Sequence, residues 1–340
     1  MPHEFFMQRC LQLAAIGVGK VLANPMVGCV IVANGQIIGE GYHQQYGGPH
    51  AEVNAINSIL KENLHLLNEA TVYVSLEPCA HFGKTPPCAD LLIKHQVKQV
   101  VIGCLDPHDK VAGAGVVKLK AAGINVIVGI LEQESIHLNK RFITYHQKKR
   151  PYIILKWAET TNGLMAGDTK KISGPLAQQR LHILRSQEMS FIIGTNTLLE
   201  DNPQLNVRLV NGANPIRIAV DAHLKSVGKD LKFYDQTQTT IIINTVKNEI
   251  VGKIEFVKVV DTAPQSVLNV LYERQILSVV IEGGAAFLNA FLNENLYDEI
   301  KVFKSKSLYF DSGLKAPVIN ANVHSSEDLG DDILINYYPS

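Results

Sequence analysis

Two short stretches hold the residues with the most chemistry in them. The first is His50-Ala51-Glu52; the second runs from Pro78-Cys79 through His81 and Lys84 to Pro86-Pro87-Cys88. One imidazole and two thiols are the donor set of a zinc site, and three protein ligands leave a fourth position open for water. A carboxylate two residues from the imidazole can move the protons of that water. A zinc that merely holds the fold is the alternative, but it has no need of Glu52. Nucleobase deaminases of the zinc class carry H-x-E followed by P-C-x-x-C; here the spacing between the cysteines is lengthened to eight residues. His81, inside that loop, is read as a loop or substrate-facing residue because three ligands suffice. Lys84, flanked by two ligands, is placed to grip an anion, most simply a phosphate.

Each of these groups sits at the start or end of an expected element. Gly47-Gly48-Pro49 turns the chain into a helix over residues 51–63, so His50 stands at a helix start with Glu52 one step inside. Residues 71–76 read as a strand ending at Glu77, and Cys88 opens a helix behind its Pro-Pro pair. Upstream, an amphipathic helix over 4–16 precedes an Asn24-Pro25 turn and a buried strand holding Cys29. Asn34-Gly35 then makes a hairpin with residues 36–42. Gly113-Ala114-Gly115 falls short of a dinucleotide fingerprint, lacking the third glycine and the later acidic residue, and is read as a loop before a helix. A strand over 124–128 and a helix over 132–146 follow.

The whole chain has 340 residues, 46% hydrophobic and 19% charged, which suits a globular protein of two domains. Lys plus Arg and Asp plus Glu are 32 each, so there is no broad cationic field for nucleic acid. Five cysteines in so long a chain read as reduced thiols and a metal site, and thus a cytoplasmic enzyme. The N-terminus lacks a signal-peptide pattern, and no apolar run reaches the roughly eighteen residues of a membrane span. Lys148-Lys149-Arg150-Pro151 marks a solvated joint, giving domains of 1–146 and 151–340.

The second half alternates strands (152–158, 191–193, 216–220, 240–243, 256–260, 277–281) with helices, a second α/β domain. Its clearest local feature is Glu282-Gly283-Gly284-Ala285, a strand end whose bare amides open a helix and suit an anion such as a cofactor phosphate.

Taken together, NPMVGCVIV, HAEVNAI, SLEPCAHFGKTPPC and DPHDKVAGAG resemble the deaminase domain of the bifunctional riboflavin-biosynthesis deaminase/reductase family. In the same order, LKWAETTNG, PLAQQRLHILRSQ, GTNTLLEDNPQLNVR and PIRIAVD resemble that family's reductase domain. The resemblance implies a cytidine-deaminase-like three-layer α/β domain followed by a dihydrofolate-reductase-like α/β domain. It implies one zinc on His50, Cys79 and Cys88, Glu52 as proton shuttle, and Asn24, Lys84 and Asp106 on the substrate. In the second domain it implies NADPH at Lys156, Thr197, Asp201 and Gly283-Gly284-Ala285. Substrate would meet Arg185, Leu205, Arg208 and Glu282, the guanidinium forks suiting a ribose phosphate. The substrate implied is a small pyrimidine ribotide, with no nucleic acid or membrane partner, and the family pattern implies a homo-oligomer. Departures fall at Asp106-Pro107-His108-Asp109, where the family reads DPNP; at Thr160-Thr161-Asn162-Gly163, where it reads SLDG; and at Lys171, where it has Trp. They leave open a silent reductase half. The rival class, a deaminase of bases in nucleic acid with a polynucleotide-binding second half, would keep the zinc chemistry.

Overall fold

The computed structural model describes residues 2–82, 86–107, 112–167 and 171–339. The chain forms two compact units, Met1–Lys149 and Arg150–Ser340.

The first unit is built on a five-stranded sheet of order β2-β1-β3-β4-β5, with β1 Gly28–Ala33, β2 Gln36–Tyr42, β3 Thr71–Leu76, β4 Gln99–Cys104 and β5 Asn125–Val128. The Asn34-Gly35 turn has positive φ at both residues (52° and 75°), the primed geometry that closes a two-residue hairpin between β1 and β2. β3, β4 and β5 are mutually parallel. Alternation along β1 sends Val30 and Val32 to one face, where they meet Phe6, Met7, Cys10 and Leu13 of α1 (His3–Ala15). Cys29 and Ile31 go to the other, packed with Ala51, Ala55 and Ile56 of α2 (Ala51–Asn57), Ala89 and Leu92 of α3 (Cys88–Lys94) and Leu119 of α4 (Ala114–Ala121). Helices on both faces make three layers.

Two helices expected to run on are broken. Rather than reaching residue 63, α2 stops at Asn57. Ser58 Oγ donates to Ala55 O (2.7 Å) and accepts Glu40 N from β2 (2.9 Å), and a 3-10 segment, Lys61–Glu69, takes over. The span 132–146 divides into α5 (Glu132–Leu138) and α6 (Lys140–Lys148). Between them Asn139 turns its amide to the backbone of Met26, accepting its N–H at 2.8 Å and donating to its carbonyl at 2.9 Å. A tertiary contact 113 residues away thus overrides helix continuity.

The second unit has a ten-stranded sheet, order β11-β12-β10-β9-β8-β13-β6-β14-β17-β16. Seven neighbours are parallel: β12 (Ile254–Lys258), β10 (Thr240–Asn244), β9 (Ile216–Val220), β8 (Ser190–Gly194), β13 (Ser278–Glu282), β6 (Tyr152–Glu159) and β14 (Glu299–Ser305). β11 (Glu249–Val251) and the hairpin β16 (Asn322–Leu329) and β17 (Asp332–Tyr338) close the two edges antiparallel. A separate two-stranded pair joins β7 (Leu164–Ala166) to β15 (Leu314–Lys315). Ile153, Leu155 and Trp157 pack with α9 (Pro264–Glu273) and α10 (Ala285–Asn293) on one face; Tyr152 and Ile154 pack on the other with Leu184 of α7 (Pro175–Gln187) and Leu198 of α8 (Thr195–Asp201). The apolar run 256–260 is shifted: β12 ends at Lys258, and Val260 is 97% exposed. The cationic joint is not wholly solvated either, since Arg150 makes a two-pronged pair with Asp298 (2.5 and 2.9 Å).

Candidate active sites

The first site lies beyond the carboxyl ends of the parallel strands β3 and β4, the end of an open α/β sheet where ligands bind. His50 is the residue that caps α2 in extended conformation, and Cys88 is the first residue of α3, so two helix starts deliver two of the donors. Cys79 arrives on the chain leaving β3. His50 Nδ1 lies 3.2 Å from Cys88 Sγ and 3.7 Å from Cys79 Sγ, and the three donor atoms fall within 4.8 Å of one another. This is the sole convergent His/Cys/Asp/Glu group of its kind among the described residues. His81 stands outside the trio, exposed at the pocket rim.

The donors fit a thiophilic cation. Cys88 directs its backbone N–H (3.2 Å) and its thiol at the Cys79 sulfur, and together with His50 this drives Cys79 towards thiolate. The Cys79 sulfur in turn holds the His50 imidazole above its ordinary range. Two sulfurs and a ring nitrogen aimed at one point are what zinc takes. The other three cysteines (Cys10, Cys29 and Cys104) are buried and free, and burial pushes all three thiols up.

Glu52 projects from the first turn of α2 and is 3% exposed. Burial raises its carboxyl above the ordinary range, opposed by His50 and reinforced by Cys79. A pocket of about 390 Å³ opens over it, lined among others by Asn24, His43, His50, Glu52, Cys79 and Asp106. Asn24 Nδ2 is 2.9 Å from His43 Nε2, and His43 Nδ1 is 3.0 Å from Pro49 O. The carbonyl can only accept, so the His43 proton sits on Nδ1 and Asn24 donates to Nε2, which directs Asn24 Oδ1, the accepting atom of the amide, away from His43. Lys84 and His108 lie outside the described residues.

The structure also brings in residues that the motifs do not flag. Glu77, 4% exposed, accepts four backbone N–H groups from Asp106, Gly113, Gly115 and Val116. Gly113-Ala114-Gly115 therefore serves this site: a Cβ on Gly115 would stand 2.1 Å from Pro78 O. No spacing rule links an acidic residue to amides about thirty to forty positions on, which is why pattern reading passes over it.

In the second unit Glu282 ends β13 beside its register partner Lys156 on β6. Its carboxylate lies 3.3 Å from both Lys156 Nζ and Arg185 of α7. Burial works against ionisation, but the two cations outweigh it and hold the Glu282 carboxyl below the usual range. Arg208 shares the neighbourhood through His182, whose Nδ1 accepts the Arg208 N–H at 3.1 Å. Burial, then Arg185 and Arg208, push His182 down to about 4, so it stays a neutral acceptor. Leu205, in the same connection, has a positive φ of 48° and is buried. Thr197 and the glycine turn also meet: Gly284 N donates to Thr197 Oγ1 at 3.0 Å, and Gly284 caps α10 ahead of Ala285. Gly283 has φ of 147°, a backbone state that L side chains rarely adopt. Asp201 lies one helical turn beyond Thr197 on α8, exposed. At the departures, Asn162 fixes its turn by donating to Phe310 O (2.8 Å), and Lys171 is exposed.

Zinc ligands at the ends of a three-layer sheet, joined to a parallel-sheet domain with a glycine cofactor-type turn, define a zinc deaminase fused to a reductase. Residues 1–104 match the cytidine and deoxycytidylate deaminase zinc-binding region, and residues 151–305 match the RibD C-terminal domain. The chain belongs to the RibD family of bifunctional riboflavin-biosynthesis proteins, with a deaminase-like domain followed by a dihydrofolate-reductase-like one. It is 36% identical to RibD of Actinobacillus pleuropneumoniae, covering 98% of this chain and 94% of the relative. Against RibD of Escherichia coli the identity is 33% over 91% and 89%. The crystal structure of a diaminohydroxyphosphoribosylaminopyrimidine deaminase/5-amino-6-(5-phosphoribosylamino)uracil reductase from Thermotoga maritima superposes with a TM-score of 0.90 at 39% identity, covering 99% and 98%. Acinetobacter baumannii RibD gives 0.89 at 33%, with the same coverage. Among the described residues no helix is long and apolar enough to cross a membrane.

Proposed function

We propose that residues 1–146 hydrolytically deaminate 2,5-diamino-6-ribosylaminopyrimidin-4-one 5′-phosphate. Residues 151–340 then reduce the ribosyl chain of the product to ribityl with hydride from NADPH. The convergence of His50, Cys79 and Cys88 beside a buried Glu52 is the observation that carries this reading. A zinc ion held by the three supplies the Lewis acidity that makes water nucleophilic near neutral pH. Glu52 takes a proton at its carboxylate and returns it to the departing amine; burial moves its pKa towards the working pH, where a group does both jobs best. Asn24 Oδ1, turned outward by His43, accepts from an N–H of the pyrimidine, while Asp106 and Lys84 hold the rest of the ribotide, Lys84 at the phosphate.

In the second unit the Gly283-Gly284-Ala285 turn receives a cofactor phosphate on the amides of Gly283 and Ala285, with Thr197, which takes the Gly284 N–H, and Asp201 beside it, and Lys156 faces the cofactor from β6. Arg185, Leu205, Arg208 and Glu282 form the substrate side, with the guanidinium groups on the ribose phosphate. We place the enzyme in the cytoplasm, where its five free thiols stay reduced, as a homo-oligomer acting on a small molecule and not on nucleic acid. A coupled assay on the full chain with zinc and NADPH, scoring ammonia release and NADPH oxidation separately, tests both halves. No ammonia from the diaminopyrimidine ribotide would remove the first activity, and ammonia without NADPH oxidation would remove the second.

A further inference from the structure

We propose that Glu77 is a positioning residue for deamination: its carboxylate ties Asp106, which lines the pocket, to the start of α4 and so fixes the Asp106 backbone at the pocket. The inference rests on the deaminase reading above and deepens it.

Glu77 prolongs β3 by one residue, its N–H bonded to Cys104 O at the end of β4 (3.0 Å). From there one oxygen reaches both sides of the loop, accepting Asp106 N at 3.2 Å and Gly113 N at 2.9 Å. The other oxygen accepts Gly115 N at 2.8 Å and Val116 N at 3.2 Å in the first turn of α4. A simple helix cap would use the last two alone. Taking Asp106 N as well ties the exit of β4 to the start of α4 through one side chain.

Burying a carboxylate is costly unless donors surround it, and a site that only needed to close a loop could do so with neutral groups. Four N–H donors on one carboxylate make a charge-assisted cluster stiffer than four separate amide contacts. Glu77 is one residue from Pro78 and two from Cys79, so Asp106 and the start of α4 are tied directly to the segment that carries Cys79. Gly115 is what admits this: any side chain there would run into Pro78 O. Through Glu77 the Asp106 backbone is thus tied to the segment that carries Cys79.

Glu77→Gln keeps the size but turns an NH₂ towards two of the four donors, whereas Glu77→Asp keeps the charge and shortens the reach. On the zinc-loaded full chain, E77Q is expected to raise the KM for the diaminopyrimidine ribotide by about tenfold to a hundredfold, the scale on which small misplacements act. Bound zinc stays at the wild-type ratio and NADPH oxidation with the deaminated substrate is unchanged, which reports an intact fold. E77D recovers part of the loss. Because Glu77 acts through Asp106, adding E77Q to Asp106→Ala costs little more than Asp106→Ala alone. Amide hydrogen exchange of residues 113–116 quickens in E77Q; this arm needs no substrate and stands even if the wild type releases no ammonia, a result that would sink the deaminase reading instead. Unchanged exchange and KM, or loss of zinc with KM intact, would overturn the proposal, the latter assigning Glu77 to the metal segment.

Discussion

In the proposed deamination Glu52 and the three candidate metal donors have separate tasks, and the division can be measured. The Glu52 carboxyl is buried with its pKa raised and is not one of the three converging donors. Gln has the same outline but can neither take nor return a proton. Glu52→Gln is therefore expected to lower kcat for ammonia release by about 10²- to 10⁴-fold, the usual span for losing a general acid–base. Zinc content and NADPH oxidation stay as in the wild type, and a rate within a few-fold of it would take Glu52 out of the proton path. At this scale the sequence is unusually readable. His50, Glu52, Cys79 and Cys88 are marked by their own spacing because they lie at helix starts or just past a strand end, where local signals are strong. Glu77, Asn139 and His43 act through backbone or amide partners remote in the chain, and nothing in their own neighbourhoods marks them.

Elements succeed or fail as expectations for similar reasons. The hairpin at Asn34-Gly35 and the parallel strands of the two mixed sheets follow from turn chemistry and apolar runs. The breaks after Asn57 and at Asn139 follow from tertiary hydrogen bonds that no local period contains. The edge strand β16 is exposed along nearly its whole length and carries no alternation to read. Where three elements meet, at Glu282 on β13, Lys156 on β6 and Arg185 on α7, a pH effect follows. Glu282 titrates below its ordinary value in the folded chain, so its contribution to stability is fully present above the unfolded-state pKa of about 4.5 and is lost as pH falls through the lower folded value. Trp157, the one tryptophan, is buried in β6 and reports on this unit alone. Glu282→Gln is expected to lower neutral-pH stability by about 3–5 kcal/mol, the cost of leaving buried cations without their partner. It should also flatten the loss of stability below pH 4.5, both followed by Trp157 fluorescence. Wild-type stability at pH 7 would mean that the pairing contributes nothing net.

At the scale of the whole molecule, two units with separate cores carry two chemistries that depend on different groups. The first unit brings its candidate metal donors from three segments: His50 before α2, Cys79 beyond β3 and Cys88 at the start of α3. Without an ion, two sulfurs and an imidazole share protons, so binding of a metal there would be linked to proton release and to the order of these segments. The second unit has its own ten-stranded sheet, and its candidate cofactor and substrate groups include no such donor trio among the described residues. Dialysis against a strong chelator is expected to abolish ammonia release while leaving NADPH oxidation, assayed with the deaminated substrate, at its original rate. Adding back zinc restores the first activity, with a pH dependence of reloading set by deprotonation of the thiols. Heat unfolding in the chelated protein should lose cooperativity in the first unit, with the Trp157 transition unmoved. A parallel loss of NADPH oxidation on chelation would show instead that the reductase unit draws on the metal-bearing unit for its own activity.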